Sequence, residues 1–414
     1  MTFALTQRIR KLLPESKSLR IMSLSTIINT FGNGLFITIE IIFLTRSVGL
    51  SPHQVGFGFT IAALIAFPMS IPAGHFAHRI NIRNWVTISQ SFQGLVAASF
   101  IFIHTFWVFL ALTILVEITV TVTQTLRMVL INEIGGQGEG RVAFRAYLRA
   151  VTNLGIGVGT AFAGIALIVD THTAYATLIV INGISFIIAA VIFRKIPFAP
   201  HEIVEVETKK EPKFVALRDF KYVSATILNG IYSMHFVIQG IGIPLWIINY
   251  TNAPRWTVSF VLLINTLACV LFSVRASKGT SAISHAAKTF FRAGLFIAGG
   301  CVLYAFAQGL NPWFATIFLI SGMALHVTGE LLGSAAGWGL GFGLARNEYQ
   351  GQYQGVWQLS WSFGGIIGPA LITSLIVDLN KTGWFILAAV FALSTYLFIP
   401  LVASMKDRAR QANL

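Results

Sequence analysis

Two stretches decide how this chain reads: GIGVGTAFAGIALIVD at Gly155–Asp170 and GGIIGPALITSLIVD at Gly364–Asp378. Each is apolar over most of its length, opens on a Gly-x-x-x-Gly pair and closes on Leu-Ile-Val-Asp. Gly155 and Gly159 match Gly364 and Gly368 at an offset of 209 residues, and Leu167–Asp170 matches Leu375–Asp378 at 208. A small-xxx-small pair lets membrane helices approach closely and is common on its own. Two matched features at nearly one offset point to a duplicated unit. Thr160 follows the first glycine pair and Pro369 the second.

Both stretches sit in a series of apolar runs of roughly twenty residues, the length a helix needs to cross the hydrocarbon core. Such runs predict helices near 21–44, 54–76, 84–104, 107–131, 147–169, 174–193, 220–248, 257–274, 288–307, 313–343, 356–377 and 384–404. Pro68, Pro72, Pro244 and Pro369 fall inside them, which bundled membrane helices tolerate. The matched stretches are the fifth and eleventh runs, so six helices are repeated once. The expected fold is an all-α, multi-pass membrane protein of twelve transmembrane helices in two pseudo-symmetric six-helix bundles. Residues 1–193 form the first bundle, 194–218 a charged, proline-containing linker and 219–414 the second.

Composition agrees. Of 414 residues, 55% are hydrophobic and 11% charged, against about 25% charged in soluble proteins. The net charge of +14 does not indicate nucleic-acid binding, because the bases lie in short links between apolar runs rather than on a compact basic domain. With both termini on one face, that face carries 25 of the 29 Lys and Arg residues, the other carries Arg46, Arg255 and Lys381, and Arg127 lies within a run. The excess of bases puts both termini in the cytoplasm. Cys269 and Cys301 both lie inside apolar runs, so neither a disulfide framework nor a metal-binding cysteine spacing is expected. No removable leader is expected at the N-terminus. Walker, G-x-S-x-G and H-E-x-x-H motifs are absent from the sequence, so no enzyme activity, cofactor or metal is expected and an ion gradient is the natural energy source.

Three acids fall inside the apolar runs: Glu40, Glu117 and Glu330. A charged side chain at mid-bilayer costs about 2.5–3.5 kcal/mol on insertion scales, so such groups face a cavity or a partner. Glu117 and Glu330 lie near the middle of the fourth and tenth runs. His326, four residues before Glu330, shares its helical face. The expectation is that Glu330 with His326 takes up protons or a cationic substrate and that Glu117 serves the first half; the alternative is structural pairing, for Glu117 with a base such as Arg127. Arg127 itself could bind an anion, close a gate or snorkel to the interface. Tyr232, His235 and Gln239, spaced by three and four residues, would line a cavity or hydrogen-bond between helices.

The link after the second run reads Gly74-His-Phe-Ala-His78-Arg79-Ile-Asn81-Ile-Arg83, and the equivalent link of the second half keeps Arg275-Ala-Ser-Lys278-Gly279. The first resembles the G-x-L-A-D-R-x-G-R-[KR] signature of the major facilitator superfamily. Arg149-Ala-Val-Thr-Asn153-Leu-Gly155 and Gly329-Glu330 through Gly351-Gln-Tyr353-Gln354-Gly355 are similar to its drug:proton antiporter branch. The resemblance implies alternating access between two bundles, cavity-lining roles for the first, fourth and tenth helices, and a cytoplasmic gate at Gly74, His78, Arg79 and Arg83. The signature acid is His78 here, so the gating role carries over without its charge relay. The branch's Gly-Pro is Gly159-Thr160 in the fifth run and survives only at Gly368-Pro369; Gly155, Gly159, Gly364, Gly368 and Pro369 are otherwise expected to be helix-packing sites.

Together these readings lead to the expectation of a monomeric inner-membrane exporter of a small amphiphilic drug or antibiotic, working by proton antiport amid membrane lipid. A proton symporter importing a nutrient or siderophore-like solute is the alternative. A lipid-acting enzyme or flippase would need interfacial polar clusters, and a channel a ring of selectivity groups.

Overall fold

The computed structural model describes residues 16–135, 138–197 and 214–405. Arg8, Arg10 and Lys11, Lys406, Arg408 and Arg410, most of the 194–218 linker and the side chain of His78 lie outside the described residues.

Among the described residues eleven helices are long and apolar enough to span a membrane: α1 (Lys17–Ser47), α2 (His53–Phe76), α3 (Ile82–Phe102), α4 (Phe106–Ile134), α6 (His172–Phe193), α7 (Phe220–Tyr250), α8 (Trp256–Ala276), α9 (Ile283–Phe306), α10 (Pro312–Gly343), α11 (Asn347–Leu379) and α12 (Lys381–Ala403). Between α4 and α6 runs α5, Glu139–Val169, 31 residues long. It begins about two turns ahead of the apolar run at 147–169, with Arg141 and Arg145 in its first turns, and carries that run through to Val169. Those turns hold together by laying guanidinium groups on aromatic rings: Arg141 over Phe342 at 4.9 Å and Arg145 over Trp338 at 5.5 Å.

The helix starts are set by local chemistry. Ser16, Asn81, Thr105, Thr171, Asp219 and Asn311 each turn a side-chain oxygen back onto a free backbone N–H of the first turn. Large apolar side chains that stay exposed, such as Leu271, Phe102 and Ile37, are the surface that lipid covers. Trp107 and Trp313 are exposed at the first turns of α4 and α10, where an amphipathic ring suits the membrane interface.

The described residues divide into two compact units. The first takes in the chain up to Met69, then Phe76–Gly135 and Val151 onward to the linker; the second takes in Ser70–His75, the stretch ending at Ala150, and the chain from the linker onward. Thus α5 changes unit after Ala150 and α2 at Ser70. Within the first unit α3 packs on α4 and α6, α2 on α4, and α1 on α6. Within the second, α9 packs on α10 and α12, α8 on α10, and α7 on α12. The same pairings, six helices later, are the duplication that the matched stretches announced.

The glycine pairs explain themselves in this frame. A Cβ at Gly155 or Gly159 would collide with α1 at Thr30 or the Phe31 carbonyl, and one at Gly364 or Gly368 with α7 at Ser233 or Val237. Each pair therefore packs the fifth helix of its unit on the first. Pro369 sits inside α11 without breaking it.

Candidate functional site

Glu330 lies in the middle of α10, buried to 2% exposure. Its carboxylate is surrounded. Arg149, from the first turns of α5 that belong to the same unit, makes an ion pair with Oε1 and donates to Ser334 Oγ at 2.8 Å. Asn265 Nδ2 of α8 donates to Oε2 at 2.6 Å, and Cys269 Sγ lies 3.4 Å from Oε1. The guanidinium also lies over Phe236 at 5.1 Å and Trp338 at 6.0 Å. A buried charge needs this sort of compensation, from a countercharge and from donors for its remaining lone pairs.

Beside this cage stand two imidazoles. His326 is one turn before Glu330 on α10, on the shared face its spacing predicts, and His235 approaches from α7 with ring centroids 5.3 Å apart. Both rings are fully buried, and no nitrogen of either makes a hydrogen bond; His326 has a loose approach to the backbone carbonyl of His235. Tyr232 packs on His235 and donates to the Gly329 carbonyl at 2.8 Å. Gln239 parts from this stripe. Between Ile238 and Gly242 α7 makes a π turn, just ahead of Pro244, whose missing N–H leaves an α-helical bond unmade. Tyr232 and His235 lie ahead of this turn and are buried, while Gln239, inside it, is partly exposed.

Next to the pair is a narrow crevice lined by Tyr232, Phe236, Ser334, Trp338, Trp357 and Trp361 among others. Arg149 forms part of its surroundings, through its bond to Ser334 and its stacking on Phe236 and Trp338.

The first unit holds its acids differently. Glu117 of α4 lies near enough to Glu40 of α1 for its charge to act on it, and no base or donor among the described residues meets either carboxyl. Arg127, one candidate partner for Glu117, is turned elsewhere: it donates to Thr26 Oγ1 at 2.7 Å and lies over Phe193 at 5.5 Å.

Of the gate residues, Gly74 packs so closely that a Cβ would strike the Gly351 carbonyl of α11, within the second unit. Arg83 donates to the Ile196 carbonyl at 3.3 Å in the first. In the second-half link, Gly279 N–H is met by Glu139 Oε1 at 2.9 Å. Sequence reasoning did not single out Arg149, Asn265 or Glu139 as partners. Arg149 counted there as one of many bases near a membrane face, and nothing in the order of residues ties it to an acid 181 positions away.

Comparison with known proteins fits this architecture. The proton:xylose symporter XylE, bound to 6-bromo-6-deoxy-D-glucose, superposes with a TM-score of 0.70 at 12% identity, covering 92% of this chain and 95% of that one. A bacterial homologue of the iron transporter ferroportin gives 0.68 at 15%, covering 94% and 100%. The human organic anion transporter MFSD10 gives 0.68 at 11%, covering 93% and 100%. At such identities the likeness shows the fold alone, and three different cargoes share it. No curated protein sequence matches. The family model described as Major Facilitator Superfamily matches residues 22–369. This multi-pass membrane protein therefore belongs to the Major Facilitator Superfamily of transporters.

Proposed function

We propose that the protein exports a small amphiphilic compound, a drug or antibiotic, in exchange for protons. The observation that carries this reading is the Glu40–Glu117 pair: two neighbouring carboxyls in membrane-spanning helices, with no base beside either among the described residues. A carboxyl so placed is the kind of group that takes up and gives off a proton as its surroundings change from one membrane face to the other. The aromatic crevice supplies the other half. Tryptophan and phenylalanine walls with a few polar groups suit a flat, amphiphilic solute better than a sugar.

In this reading residues 1–193 and 219–414 rock as two bundles about the 194–218 linker, with both termini on the cytoplasmic side of the inner membrane and the protein working as a monomer. Each proton entering down a gradient equivalent to 100 mV supplies about 2.3 kcal/mol, so two support a substantial concentration ratio. The Gly74–Arg83 link acts as the cytoplasmic gate. Glu330 keeps its assignment to charge recognition, with Arg149 as the group a substrate must displace.

The test is transport of a fluorescent amphiphile in proteoliposomes under an imposed pH gradient. Glu117→Gln and Glu40→Gln should abolish gradient-driven accumulation and leave exchange of labelled for unlabelled compound intact. Accumulation that persists in both variants would overturn the proton assignment. Import of a solute by proton symport is the second reading, favoured by Thr160 where the antiporter branch has proline. Accumulation that runs with the proton flow, rather than against it, would select it.

A further inference from the structure

From His235, His326 and Glu330 we infer a site for one divalent first-row transition-metal ion of the Zn²⁺ or Co²⁺ kind. One ligating atom from each residue lies within 4.8 Å of the others. A tetrahedral ion with bonds of about 2.0–2.1 Å holds its donors about 3.4 Å apart, so side-chain rotations of an ångström or so complete the sphere. Two imidazoles and one carboxylate are the donor set of zinc and its neighbours rather than of magnesium or calcium, which take oxygen.

The second observation is independent of the spacing. Among the described residues none of the four ring nitrogens of His235 and His326 has a hydrogen bond of ordinary geometry, the loose approach of His326 to the His235 carbonyl aside, although both side chains are fully enclosed. Buried imidazole nitrogens without partners are costly, and two such rings against each other double the cost. An ion between them satisfies one nitrogen of each.

The site also has a built-in competitor. Glu330 is already paired with Arg149. A dication on the same carboxylate repels the guanidinium, so metal binding and the Arg149–Glu330 pair oppose each other. Occupancy would loosen Arg149 from Glu330. This site is separate from the Glu40–Glu117 pair, and its failure would leave the export reading standing.

The experiment uses the full chain, purified in detergent without a histidine tag, stripped with chelator and titrated with Zn²⁺ and Co²⁺. Wild-type protein should retain one Zn²⁺ per chain after desalting, and X-ray absorption of that zinc should show two imidazole ligands. His235→Ala and His326→Ala should each weaken binding at least about tenfold, and Arg149→Gln should strengthen it. Failure of wild-type protein to hold one equivalent would overturn the site, as would a zinc ligated only by oxygen or affinities unchanged in both histidine variants. The wild-type stoichiometry and absorption spectrum decide the matter even where a variant does not fold.

Discussion

The two units carry their intramembrane acids in opposite ways. In the second, Glu330 is held by a guanidinium, an amide and a thiol at once, with two imidazoles alongside. In the first, Glu40 feels the charge of Glu117, and among the described residues no base meets either. A caged charge contributes to stability only while its partners stay, since removal of one leaves the rest buried and unpaired. An acid with no partner contributes little to stability and is free to change its charge. The duplicated fold thus gives equivalent helices, α4 and α10, acids in different settings: one ringed by partners, one with no base beside it among the described residues.

That contrast can be broken most forcefully at Arg149. Arg149→Ala strands a buried carboxylate and should destabilise the protein by about 3–5 kcal/mol, read from thermal unfolding in detergent. Adding Glu330→Gln should recover most of the loss; a double variant as unstable as the single one would mean that Arg149 acts through its ring contacts instead. Asn265→Ala removes one donor from the same cage and should cost about 1–3 kcal/mol in the same assay. Glu117→Gln should move stability by less than about 1 kcal/mol, because no partner is lost, while gradient-driven transport disappears. A large destabilisation there would show that Glu117 is caged after all. The smallest effect belongs to the exposed pair of Arg46 with Asp170, 3.2 Å apart with side chains 69% and 49% exposed; Arg46→Gln should change stability by at most about 0.5 kcal/mol, and less in high salt.

Much of the fold was legible in the order of residues alone, because lipid imposes a simple rule: apolar runs of fixed length, with charge only between them. The repeat was legible because close packing of fifth helices on first helices demands small residues at Gly155, Gly159, Gly364 and Gly368. The His326–Glu330 neighbourhood was legible from helical spacing. What lay beyond reach were contacts between distant positions. Arg149 meets Glu330, and His235 meets His326, across stretches that no local period connects. Gln239 sits in a turn that the spacing rule does not foresee, since that rule assumes an unbroken helix and the turn before Pro244 is widened.

That widened turn has a bearing on how the gene for this chain can change length. Deleting one residue from a spanning helix turns everything beyond it by about 100° and drives its buried face toward lipid. A π turn already holds one residue more than an α turn does. Loss of Gly240, whose Cα faces open space, would convert Ile238–Gly242 to ordinary helix and leave Trp246 in register to donate to the Tyr304 carbonyl, as it does at 2.8 Å. At this position a codon can be lost while the helix beyond it keeps its face.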